Sequence, residues 1–166
     1  MTFSRMLAVA AACAGTAVVA GEEPTFAVRS LTPEVALKAA HAALAKCRAT
    51  GYQVTVAVVD RSGITQVVLR DRFAGPHTVD VATNKAWTAL STRTATHDLG
   101  RLTRPGESMS GLRSVPRIVT IGGGLMIEAG GAIFGGIGVS GAPGGDADHV
   151  CAAAGIKAIS EEIELQ

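Results

Sequence analysis

The sequence predicts one α/β domain of the α+β kind: a single, mainly antiparallel five-stranded sheet flanked by helices, in the order α-β-β-α-(α)-β-β-β-α. Three observations carry this. Two β-branched runs lie only four residues apart, so they pair as an antiparallel hairpin. Three further runs near the C-terminus are joined by glycine turns rather than by helices, which excludes a βαβ repeat. Capped amphipathic stretches stand before, between and after these groups. The 166 residues are 48% hydrophobic and carry formal net charge +1, enough apolar material for one core.

The first helix starts at Leu31-Thr32-Pro33-Glu34, where a hydroxyl cap precedes a proline at the first helical position. Val35, Leu37, Ala39, Ala40, Ala43, Leu44 and Cys47 then form its apolar face up to Gly51, with His41 packed near that stripe. Residues 53–59 (QVTVAVV) and 64–69 (ITQVVL) are the hairpin strands around Asp60-Arg61-Ser62-Gly63. Thr78 is placed to cap a helix running to about residue 91, with Asp80 complementing its dipole. Residues 94–102 predict a shorter helix, and 104–115, with Pro105, Gly106, Ser108, Ser110 and Gly111, a surface loop. Residues 118–121, 125–128 and 132–140 are the last three strands, and a helix over about 146–162 closes the chain.

The N-terminus reads as a secretory signal peptide. One positive charge precedes an uncharged apolar run over 6–19, and Val18-Val19-Ala20 offers small residues for cleavage after Ala20. Residues 1–20 are thus expected to be removed, leaving a domain over 21–166 that is secreted or periplasmic. The apolar run is shorter than the roughly 20 residues a membrane-spanning helix needs, so no stable membrane insertion is expected after cleavage. Cys47 and Cys151 remain in a compartment that permits one bridge, but two buried small hydrophobes is the favoured reading.

Nucleic acid is excluded as a partner, because Lys and Arg are scattered and the chain has one Trp, one Tyr and four Phe. GIGVSGAPGG, residues 136–145, contains a literal G-x-G-x-x-G at Gly136, Gly138 and Gly141. In a dinucleotide fold the helix begins inside that motif, and an acidic residue about 20 positions on ends a second strand. Here Gly136 and Gly138 fall within a predicted strand, the helix waits until after Gly145, and Glu161 lies late in a helix. The glycines therefore serve the backbone, letting a neighbouring element or subunit approach closely. Gly138-Val139-Ser140-Gly141-Ala142 likewise lacks the final glycine of a nucleophile elbow.

Three blocks, in order and at these spacings, resemble the GlcG/HbpS family, also described as haem-degrading. They are the aliphatic strand ending in Asp60 and Gly63, the Lys85-Ala86-x-Thr88-Ala89 helix, and GVSGAPGGD leading to Cys151 and Ala154-Gly155. The resemblance runs from about Leu31 to the C-terminus, with Trp87 standing where tyrosine or another residue is expected. It implies a small α/β domain that forms homo-oligomers and, in its secreted members, binds haem. The function expected is therefore a secreted haem carrier or haem/redox-sensing accessory. The alternative is an enzyme or enzyme accessory acting on a small metabolite, or degrading haem, in an inter-subunit pocket.

Within that resemblance, His77 in Gly75-Pro76-His77-Thr78 is the candidate iron ligand, as imidazole commonly holds haem iron and this turn opens a helix. Thr78 is a weaker candidate beside it. Arg72 and Lys85, with Arg70, are candidates to pair with propionates, and Phe73 and Trp87 to cover the porphyrin face. His97 is a candidate second ligand. His149 and Cys151, with Asp146 and Asp148, make a poor zinc set, since residues two apart on a helix diverge.

Overall fold

The computed structural model describes residues 24–165, so the expected signal peptide lies outside the described residues. Helix α1 (Pro33–Ala49) begins as its sequence dictates: Thr32 Oγ1 accepts from Val35 N at 3.4 Å, and Pro33 occupies the first turn. Lys46 and Arg48 complement the dipole at its other end. Its buried face is Ala36, Ala39, Ala40, Ala43, Leu44 and Cys47. Leu37 and His41, assigned to or near that stripe, are instead exposed.

Four strands form the sheet: β1 (Thr55–Asp60), β2 (Thr65–Arg70), β3 (Gly124–Ala129) and β4 (Ala132–Ser140), in the spatial order β2-β1-β4-β3. Every pair is antiparallel. The expected fifth strand at 118–121 is absent, because a helix side chain takes the backbone bonds a ladder would need. Val119 N donates to Thr88 Oγ1 at 3.0 Å, the Thr88 hydroxyl donates to Arg117 O at 3.2 Å, and Ile118 N turns back to Val115 O. Extended, β-branched sequence thus becomes a strap across α2 (Thr78–Thr92).

Period-two alternation splits the sheet between two helical layers. Val56, Val58, Ile137 and Val139 share a core with α1 and with α4 (Gly145–Lys157). Cys47 of α1 and Cys151 of α4 are joined in a disulfide, which corrects the reading of two separate thiols. Both cysteines sit where a small hydrophobe would, with 0% and 2% exposure, so they are buried as expected but bonded to each other.

On the opposite face α2 lies almost on the backbone of β4. A Cβ at Gly138 would fall 2.0 Å from Ala82 O, and one at Gly136 would fall 2.6 Å from Ala86 O. The glycines of the apparent nucleotide motif are therefore the seat of a helix. Gly138→Ala is expected to lift α2 off the sheet and lower the unfolding free energy by about 2–3 kcal/mol, the upper part of the overpacking range. Urea unfolding checks this, and an unmoved midpoint would contradict so tight a seat.

The start of α2 differs by one residue from expectation. His77 is the N-cap and makes no side-chain capping bond. The Thr78 hydroxyl turns inward, donating to Gly75 O at 2.6 Å and lying 2.7 Å from Thr55 Oγ1 on β1. Helix α3 (Thr96–Leu102) forms as expected, and the predicted loop contains a 3-10 turn, Ser110–Ser114. The closing helix is split into α4 and α5 (Ser160–Glu164), because the chain bends at Ala158–Ile159 to turn Ile159 and Ile163 into the α1 side of the core. Among the described residues no helix is long and apolar enough to cross a membrane.

Candidate functional site

The first turn of α2, the turn before it and the glycine-rich turn after β4 enclose a hollow of about 380 Å³. One wall is residues 140–145, where Gly141 (φ +128°) and Gly144 (φ +103°) hold conformations that L side chains rarely adopt. A Cβ at Gly141 would also meet Gln53 O at 2.8 Å. The turn is fixed from below by Asp148, whose Oδ1 accepts from Ala142 N at 3.0 Å.

Lys85 completes that support. Its Nζ donates to Asp148 Oδ2 at 2.8 Å and to Val139 O at 2.9 Å, and both side chains are almost wholly buried. Burial pushes the Asp148 carboxyl up, against the hydrogen bond and charge of Lys85 and the Ala142 amide. Burial pushes the Lys85 ammonium down, against the same pairing with Asp148. Each ion is worse off here than in water except for its partner, so the pair fixes geometry more than it adds stability.

The opposite wall comes from the turn over 71–77. Buried Asp71 anchors it: Oδ1 accepts from Arg48 Nε at 2.8 Å and also from Arg48 Nη2. Gln53 Oε1 accepts from Phe73 N at 3.4 Å, and Arg70 Nη2 donates to Ala74 O at 2.5 Å. Phe73 is left 79% exposed at the rim. The His77 ring folds back over Gly75, where a Cβ would lie 2.7 Å from His77 Cε1, so this orientation requires glycine there. His77 is exposed, and neither ring nitrogen has a partner among the described residues.

Of the sequence-predicted residues, His77, Thr78, Phe73 and Lys85 thus line one hollow. Thr78 would reach a ligand only by giving up a bond to the fold, and Lys85 is committed to Asp148 and Val139 rather than open to propionates. Arg72 is exposed on the Phe73 turn but does not line the hollow. Trp87 is not brought there: ten residues along α2, roughly 15 Å by helical rise, it lies under Arg117, whose guanidinium carbon is 4.5 Å from the ring centroid. His97 also lies outside the lining. Its Nδ1 is 3.0 Å from Asp146 Oδ1, and its ring meets His149 edge-on at 6.0 Å. Among the described residues no group of three or more His, Cys, Asp or Glu is placed to hold a metal ion.

Gln53 and Ile121 were not singled out by sequence, and Asp148 was considered there only in a poor zinc set, yet all three build or line the hollow. One signal was present for Lys85: Ala82 and Ala89, three back and four on, mark its face of α2 as buried. A lysine on that face requires a carboxylate opposite.

Fold and site together define a small α/β domain, helices on both faces of one antiparallel sheet, with an imidazole at the lip of a glycine-walled hollow. The chain belongs to the HbpS-like family of haem-degrading proteins, whose model matches residues 31–157. A solved double mutant of HbpS from Streptomyces reticuli has a TM-score of 0.78 and 39% identity, covering 88% of this chain and 99% of that one. A solved PduOC–haem complex has a TM-score of 0.74 and 32% identity, covering 78% and 95%. The corrinoid adenosyltransferase PduO of Salmonella typhimurium is 36% identical over 102 residues, 60% of this chain but only 30% of that protein.

Proposed function

We propose that this chain binds haem at the His77 hollow and does so outside the cytoplasm. The observation that carries the reading is an exposed imidazole with both nitrogens unengaged, held by the Gly75–Pro76 bend beside the apolar surfaces of Phe73, Val81 and Ile121. That donor suits haem iron, and those surfaces suit a porphyrin face. The PduOC–haem complex of a similar domain supports the same reading. His77 would hold the iron, Phe73 would cover the macrocycle, and the exposed Arg72 beside it would meet a propionate. Bound haem supplies redox-active iron; the residues here supply ligation and exclusion of water from one face.

A hollow of about 380 Å³ lies toward the small end of ligand pockets. Phe73, and Ile121 at 56% exposure, extend its apolar rim, and a second copy packed on that rim would complete the enclosure. The secreted location is supported by the Cys47–Cys151 bond, since such bonds persist in oxidising compartments.

In a haemin titration the wild type should shift the Soret band, and His77→Ala should lose that shift and weaken binding roughly tenfold or more, at least about 1.4 kcal/mol. A wild-type spectrum unchanged at about 10 μM protein, in the micromolar range tested, removes the proposal. The family's description keeps a degrading reading open. Loss of the bound Soret band on adding a reductant together with dioxygen, or on adding peroxide, with release of iron, distinguishes a degrader from a carrier.

A further inference from the structure

A second hollow, of about 510 Å³, lies between the N-terminal segment, the β1–β2 turn, the end of α2 and the β3–β4 hairpin. It shares no residue with the His77 hollow. Arg61 and Arg93 line it from two separate segments, beside Arg29, which is already engaged elsewhere in the fold; Phe26 and Ile133 supply apolar walls, and no Asp or Glu is among its lining residues.

Of these arginines, Arg61 lacks a structural purpose. Arg61 is partly buried, yet its guanidinium has no hydrogen-bond or ion-pair partner among the described residues. Its neighbour Asp60 does not serve, because Asp60 Oδ1 accepts from Ser62 N and Ile64 N, each at 2.8 Å, and closes its own turn. A guanidinium with no acceptor in the fold, on the wall of a hollow, is available to an incoming anion. Arg93 is the C-cap of α2 and holds φ +50°, a conformation glycine or asparagine adopts at lower cost. A cation there complements the helix dipole, which accounts for Arg93 but not for Arg61.

We propose that this hollow binds a small organic polyanion, a molecule bearing two or more carboxylate or phosphate groups on a short carbon frame. Guanidinium forks match the paired oxygens of carboxylate and phosphate, and more than one arginine on the same hollow favours a ligand with more than one such group. Phe26 and Ile133 take the frame.

Calorimetric titration of the full chain at low ionic strength, with citrate and separately with inorganic pyrophosphate, tests this. At least one should bind, and added salt should weaken it through screening. Arg61→Gln with Arg93→Gln should weaken binding about tenfold or more while leaving the circular-dichroism spectrum and the haemin spectrum in place. His77→Ala should leave anion binding unchanged. The proposal is overturned by absence of heat with both anions at about 10 mM, where even millimolar binding would show, or by equal binding in the double arginine variant. Binding of hexaglutamate with neither small anion bound also overturns it, and would make the hollow a surface for an acidic peptide.

Discussion

Lys85→Met is expected to cost the fold about 3–5 kcal/mol, the range for removing one partner of a buried ion pair. For a domain of this size that lowers the melting temperature by roughly 10–15 °C. The loss does not measure the attraction between Lys85 and Asp148. It measures what Asp148 suffers when its carboxylate stays buried with only the Ala142 amide to solvate it. The sign of the pH dependence separates this from a packing defect. Burial already pushes the Asp148 carboxyl above its ordinary 3.8, and without Lys85 the main opposition to that shift is gone. The folded variant then binds a proton more tightly than the unfolded chain. Its stability therefore rises as pH falls from neutral towards 3.8, and is lost as pH rises through the folded value. Urea unfolding at pH 7 and pH 5 should show Lys85→Met gaining stability on acidification. Adding Asp148→Asn should restore most of the loss at pH 7, because the amide oxygen still accepts from Ala142 N while the buried charge is gone. A Lys85→Met variant with pH-independent stability would mean that water reaches Asp148.

The same pair shows where local sequence stops being informative. Every element whose shape is set locally was legible: the Thr32–Pro33 start of α1, the β1–β2 hairpin around Asp60, and the short α3. The uses of Gly136 and Gly138 were legible in kind, as permission for close approach, though sequence did not say that α2 is what approaches. Residues 118–121 misled because β-branching reports a liking for extended backbone and says nothing about the ladder partner; Thr88, some thirty residues earlier, supplied one. The break at Ala158–Ile159 was equally hidden, since it exists to aim Ile159 and Ile163 at α1. That His77 and Phe73 share one turn was legible because the Gly75–Pro76 bend is a local signal. Trp87 is not brought to the hollow because helical rise carries it past. Asp148 was weighed only as a metal ligand, since its true partner lies 63 residues away.

Breaking the Cys47–Cys151 bond is the other change with a large expected effect. The bond spans 104 residues and ties the first helix to the last helical layer on one face of the sheet. When the chain unfolds with the bond intact, most of the domain remains a closed loop, and its entropy is reduced accordingly. In the chain-entropy account a loop of this size corresponds to about 4–5 kcal/mol, acting on the unfolded state rather than through a native contact. Cys47→Ala, Cys151→Ala and the double variant should therefore all lose about the same amount, because either single change already opens the loop. If the sulfurs mattered only as buried apolar atoms, the two losses would add. The denaturant slope discriminates further. An unconstrained chain exposes more surface on unfolding, so the variants should show a steeper m-value together with a lower midpoint. Equal slopes with additive losses would reduce the bond to packing and weaken the case for a secreted, oxidised protein. Non-additive losses with a steeper slope would mean that the fold depends on a linkage reducing compartments do not maintain, as the extracytoplasmic haem reading requires.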